Sequence, residues 1–179
     1  MCLAAWGQHS HRPQSTAPPA AEGAGQPSNP ELDTMTRAAA IQARPDQVGY
    51  FQSALDATDA ALQRSRELQT MGAAVTSTPA VNAASLQLRD AIDEVEHYDG
   101  IFMASFSKTQ SAELKPLMRR MRKSYGFVAR ESKVVQQRME PGKVSAERLT
   151  SAAANLEKAL SDFRTDHVRL AREMGVQSK

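Results

Sequence analysis

The sequence predicts an all-α fold: an antiparallel helical bundle with coiled-coil character, preceded by a disordered N-terminal tail. Three observations lead to this prediction. Apolar residues recur at seven-residue spacing in three segments, residues that begin or end helices bound each segment, and aromatic residues make up only 5% of the 179 residues. A core poor in aromatic residues suits helix packing better than sheet packing. No segment shows the sustained apolar–polar alternation of a half-buried strand.

Residues 1–29 are predicted to form a tether. They are rich in Pro, Ala, Gly and Ser and contain few large apolar side chains after Trp6. Such a segment cannot bury enough apolar surface to offset the entropy lost on ordering. We therefore expect the bundle to occupy residues 30–175 as one domain.

Local residue signals divide the bundle into five predicted helices, at about residues 30–43, 46–71, 79–109, 112–139 and 145–174. Asn29 and Pro30 are a capping residue and a first-turn proline. Gly72 suits the position after a helix, and Thr78 with Pro79 begins the next one. Pro116 is tolerated only in a first turn or at a kink, so a new helix is expected just before it.

The apolar positions of the last three helices advance in alternating steps of four and three residues. At 145–174 this seam comprises Leu149, Ala153, Leu156, Leu160, Phe163, His167, Leu170 and Met174. At 112–139 it comprises Leu114, Met118, Met121, Tyr125, Val128, Ser132, Val135 and Met139. At 79–109 it comprises Val81, Ser85, Leu88, Ile92, Val95, Asp99, Phe102 and Phe106. Such a repeat keeps one stripe of each helix facing a partner helix.

The pattern is looser at 46–71, with Val48, Phe51, Leu55 and Leu62. The seam that ends at Phe106 does not continue in phase to Leu114, which predicts a turn or kink near residues 107–112. The helices on either side of that break could fold back on each other or form one kinked rod. Their seams could be buried within one chain or between two, so a protein partner or self-association through the seams is open.

The stretch Leu3-Ala4-Ala5 followed by Gly7 resembles the end of a bacterial lipoprotein signal. In that signal the cysteine after Leu-Ala-Ala is lipidated, whereas Trp6 stands at that position here. The resemblance implies a lipoprotein-like chain in the bacterial cell envelope or periplasm. The alternative is an ordinary tail on a cytoplasmic protein.

The segment from Lys115 to Arg138 is strongly basic and contains one acidic residue, Glu131. Most of its cations fall on one side of the helical wheel, away from the seam, and Phe127 also lies off the seam. This face could bind nucleic acid or the headgroups of an anionic membrane. The acidic helix at 79–109 could instead offset part of its charge. The candidate anion- or partner-binding residues are Lys115, Arg119, Arg122, Lys123, Arg130 and Lys133.

Motifs for catalysis are absent from the sequence. It contains no Gly-x-Ser-x-Gly, no phosphate-binding Gly-rich loop after a strand and no His-Glu-x-x-His, and we predict no catalytic, cofactor-binding or metal-binding residues. One Glu-x-x-His spacing joins Glu94 to His97, but di-iron bundles need two copies. His9 and His11 could bind a metal only weakly. His167 is a seam residue and is expected to fix helix register.

These observations favour a non-enzymatic helical structural or interaction protein, with a place in the bacterial envelope as its expected location. The alternative is a cytoplasmic module that binds nucleic acid or anionic membrane through the basic helix at 115–138. No small-molecule substrate is inferred.

Overall fold

The computed structural model describes residues 30–71, 78–140 and 144–177. These residues form helices and no strand: α1 (Pro30–Ile41), α2 (Pro45–Met71), α3 (Thr78–Ala104), α4 (Lys108–Glu113), α5 (Lys115–Arg138) and α6 (Ala146–Glu173). The prediction of an all-α bundle is therefore confirmed. The tether expected at 1–29, with the segment that resembles an export signal, lies outside the described residues.

The four long helices α2, α3, α5 and α6 form the bundle. α2 packs against both α3 and α6, and α6 packs against α5 on its other side. Ion pairs Arg66–Glu157 and Asp59–Arg164 show that α2 and α6 run antiparallel, because the residue numbers rise on one helix as they fall on the other. α3 and α5 contact each other more sparsely. The bundle is consequently tight on three sides and looser along the α3–α5 side.

Residues of the three heptad seams form the core within a single chain. Every residue of the α6 seam is buried, and the α5 seam is buried except at Tyr125, which is half-buried. On α3 the apolar seam residues from Val81 to Phe102 are buried, whereas Ser85, Asp99 and Phe106 are half-buried. Neighbouring helices of the same chain therefore satisfy the repeat.

α3 is shorter at its C-terminal end than the helix predicted at 79–109. It ends at Ala104, and α4 is a separate short helix. Ser107 starts α4 through a capping box: its Oγ accepts a hydrogen bond from Gln110 N at 3.1 Å, and its N donates to Gln110 Oε1 at 3.0 Å. Pro116 then lies in the first turn of α5. Because α3 and α5 contact each other, the chain folds back and does not continue as one rod.

A polar network, and not the predicted seam residue Val48, anchors the start of α2. Val48 is 41% exposed, and its neighbour Gln47 is fully buried. Gln47 Nε2 donates to Ser105 O at 3.1 Å, and Gln110 Nε2 donates to Gln42 O at 3.1 Å. The two glutamine amides also contact each other, each Nε2 lying 3.1 Å from the other's Oε1. The network thus joins the α1–α2 connection to the α3–α4 turn.

Replacing Gln47 by leucine is expected to destabilise the fold by about 1–3 kcal/mol, because the buried amide of Gln110 then loses a partner. Urea unfolding measures this change. Gln52→Leu is the matched control, since Gln52 is exposed and its one hydrogen bond to a described residue is to Asp56 on its own helix; its effect should stay within about 0.5 kcal/mol. Equal losses in both variants would contradict a structural role for the network.

The helical content of the chain is expected not to change on dilution, because the seams are buried within one chain. A chain that needed a second copy to bury its seams would lose helix as its concentration fell. Circular dichroism across a dilution series, with light scattering on the same samples, measures both quantities. Loss of helix on dilution would show that association contributes to folding.

Candidate functional site

The candidate binding residues form one surface, which we call the basic face of α5: Lys115, Arg119, Arg122, Lys123, Arg130 and Lys133. All six side chains are exposed. At 100° per residue they occupy a stripe about 100° wide and about 27 Å long. The centre of this stripe lies opposite the buried seam residues Met121 and Val128. Burial of the seam therefore forces the cations outward.

Most cations of the basic face form no ion pair with a described residue. Within it, only Arg130 forms an ion pair with a described residue, Glu131, at 2.7 Å. Arg120, beside the face, pairs with Asp166 of α6 at 2.6 Å. The remaining cations of the face form no ion pair with a described residue: Lys115, Arg119, Arg122, Lys123 and Lys133.

The acidic helix α3 compensates this charge only at a distance. Among the described residues, none of its carboxylates forms an ion pair with a cation of α5. The influence is electrostatic: burial raises the pKa of Asp99 to about 6, and the positive charge of Arg122 partly opposes that increase. Loose α3–α5 packing explains why the expected pairing is incomplete.

Phe127 is exposed beside the basic face. Its side chain is 41% accessible, and the Arg130 guanidinium lies 5.1 Å from the ring centroid, in a cation–π contact. The ring lines two shallow clefts between α5 and α6, of about 400 and 450 Å³. Side chains of α6 complete the walls of these clefts, namely Asn155, Lys158, Ala159, Asp162, Thr165 and Asp166.

Sequence reasoning missed the α6 side of these clefts. The four-residue spacing of Lys158 and Asp162, which pair at 3.0 Å, indicates only an exposed helix surface. Which α5 residues lie opposite them depends on the register between the two helices, and that register is a tertiary property.

No known protein family, curated protein or solved structure matches this chain. No helix in the described part of the chain is long and apolar enough to cross a membrane. The described residues also contain no group of three or more His, Cys, Asp or Glu side chains placed to hold a metal ion.

The Glu-x-x-His spacing places Glu94 and His97 one turn apart on the surface of α3. Glu94 and His97 are both exposed on α3, where the His97 ring contacts the edge of Tyr98 with centroids 5.1 Å apart. His9 and His11 lie outside the described residues. No histidine among the described residues forms an ion pair with a carboxylate.

His167 is buried in an aromatic cluster within the core of the bundle. Its ring is fully inaccessible and lies 5.3, 4.9 and 5.6 Å from the ring centroids of Phe51, Phe102 and Phe163. Neither ring nitrogen has a hydrogen-bond partner among the described residues. Burial lowers the pKa of His167 to about 4, so the ring is neutral at pH 7.

Burial also shifts the pKa values of Asp99 and Tyr125, which lie on the looser α3–α5 side. Asp99 Oδ1 is buried and has no hydrogen-bond partner among the described residues. Burial raises the pKa of the Tyr125 hydroxyl well above its ordinary value, and the adjacent Glu96 raises it further. Desolvation is the main cause of both pKa shifts.

Stability should respond to pH in opposite directions at His167 and Asp99. The folded-state pKa of His167 lies below its unfolded value of 6.5, so its contribution is present above pH 6.5 and is lost, by about 3 kcal/mol in total, as pH falls towards 4. The folded-state pKa of Asp99 lies above 3.8, so its contribution is present below pH 3.8 and is lost as pH rises through about 6.

Two variants separate these contributions when unfolding is measured by denaturant at several pH values. His167→Leu should be less sensitive than the parent chain to acid between pH 6.5 and 4. Asp99→Asn should gain on the order of 2 kcal/mol at pH 7 and lose stability more steeply on acidification. Surface carboxylates contribute equally to the pH dependence of unfolding in the parent chain and both variants. Parallel plots of unfolding free energy against pH would therefore contradict the contributions assigned to His167 and Asp99.

Proposed function

We propose that this chain is a non-enzymatic helical interaction module that binds a polyanionic surface through the basic face of α5. The observation that carries this proposal is the stripe of about 27 Å in which five exposed cations form no ion pair with described residues. Clustered charges of one sign attract polyanions and accelerate their association. Isolated surface cations matched by acids would not do so.

Two features of the described residues support binding over catalysis. The clefts beside Phe127 are shallow, and their Lys158 and Asp162 side chains are already paired with each other. His167, the buried histidine, is surrounded by phenyl rings and has no carboxylate or nucleophile as a hydrogen-bond partner. A general base needs such a partner or a substrate within reach.

The exposed basic face is a better candidate for the binding surface than the heptad seams are. The seams are buried within one chain, so binding through them would require the bundle to open. The basic face needs no such rearrangement. A place in the bacterial envelope is a separate proposal that rests on residues 1–29, and fractionation of cells expressing the chain from its native genomic context tests it against the cytoplasm.

The paired substitution Arg119→Glu with Lys123→Glu is expected to weaken binding to heparin, a soluble polyanion, by at least about tenfold. Both side chains are exposed and form no ion pair with a described residue, so the substitutions leave the core intact. Elution from a heparin column along a salt gradient, followed by titration calorimetry, measures the loss. The parent chain should elute at the higher salt concentration.

A matched control makes the same change of net charge elsewhere. Arg64→Glu with Arg66→Glu reverses two solvent-exposed cations of α2, the long helix that packs against α3 and α6 and lies across the bundle from α5. These substitutions should shift elution far less than the α5 pair. If both pairs shift elution equally, net charge alone governs binding. If the parent chain binds no polyanion, whether heparin, duplex DNA or anionic vesicles, the proposed function is wrong.

A further inference from the structure

The cations of α5 lie along the crest of the helix, the line farthest from the bundle core. Arg119, Arg130 and Lys133 are on this line, and Gly126 lies among them without a side chain. On one flank Arg120 is held by Asp166 of α6. The opposite flank faces α3 through the half-buried Tyr125. Charge is thus concentrated where a flat partner would make first contact.

This arrangement does not match a helix that reads duplex nucleic acid. Such a helix enters the major groove, presents its crest to the base edges and uses its flanks for the phosphates. The Arg and Lys side chains of the crest suit guanine contacts, so the mismatch lies in the width of the surface and not in its chemistry. α6 lies against α5 from Arg120 to Arg138, and two helices side by side, roughly 20 Å across, exceed the groove width of about 12 Å.

Phe127 adds an apolar element beside the charged crest. Its ring is one of the few large apolar side chains exposed on the described surface, and it lies one turn beyond Lys123. The Arg130 guanidinium holds one face of the ring at 5.1 Å. Aromatic rings next to Lys and Arg are typical of proteins at the membrane interface, where the ring enters the acyl boundary and the cations contact phosphates.

Building on the proposed function, we propose that the polyanion is an anionic lipid bilayer: the side of α5 that carries Lys123, Phe127 and Arg130 lies on the headgroups, and the Phe127 ring enters the interfacial region between the cations. The seam of α5 is occupied by the bundle, so the helix binds at the surface and does not insert. Attraction to the headgroups supplies a salt-sensitive part of the affinity, and burial of the Phe127 ring supplies a part that salt does not weaken.

Vesicle sedimentation tests this proposal with the full chain. The parent chain should bind vesicles of phosphatidylglycerol and phosphatidylcholine, and it should not bind vesicles of phosphatidylcholine alone. Phe127→Ala should weaken binding by about five- to tenfold. The control is Leu86→Ala, which removes an exposed apolar side chain of similar size from α3 and should leave binding unchanged.

A fluorescent reporter tests whether the ring enters the membrane. Phe127→Trp is made in a Trp6→Phe chain, so that the new indole is the sole tryptophan. Its emission should shift to the blue on anionic vesicles, and lipids brominated near the headgroup should quench it more than lipids brominated at the chain end. Emission that stays unchanged while the protein binds would overturn the placement of Phe127.

Competing outcomes separate this inference from the proposed function. The parent chain could bind duplex DNA and not anionic vesicles, with the DNA binding weakened by Arg119→Glu with Lys123→Glu. That result would overturn the assignment of the bilayer as the ligand and leave the proposed function standing. A parent chain that binds neither heparin, nor vesicles, nor DNA would overturn both the proposed function and the bilayer inference. Vesicle binding that Phe127→Ala does not weaken would leave a purely electrostatic surface and contradict the role of the ring.

Discussion

Burial of one continuous stripe on α6 is the constraint on which the rest of the structure depends. α6 packs against α2 on one side and α5 on the other, and every residue from Leu149 to Met174 at seam spacing is buried. Side chains at these positions remove enough apolar surface from water to hold three helices in one register. Because α6 is shared, a shift in its register would displace α2 and α5 together.

Polar groups within this core contribute specificity at a cost in stability. The Gln47–Gln110 amide pair is satisfied by its own hydrogen bonds and fixes the turns at one end of the bundle. His167 and Asp99 are different, since each is desolvated and has polar atoms without partners among the described residues. Buried polar groups without hydrogen bonds are expensive, and these two have the pKa shifts that desolvation causes.

The basic face of α5 is a consequence of the same packing. Once Met121 and Val128 are buried, helical geometry puts Arg119 and Lys133 on the outer surface. Sparse contact with α3 leaves its acids unable to form ion pairs with these cations. The proposed affinity for anionic surfaces therefore arises from core packing and from the looseness of one side of the bundle.

The sequence by itself determined the fold class, the three seams and the basic face, because heptad spacing and helix-ending residues are local signals that helical geometry converts directly into burial or exposure. Only the tertiary structure decided that the seams close within one chain and that Val48 is exposed while Gln47 is buried. It also decided which α6 residues lie opposite Phe127. Each of these depends on which helices become neighbours and in what register, and residues far apart in the chain set that choice.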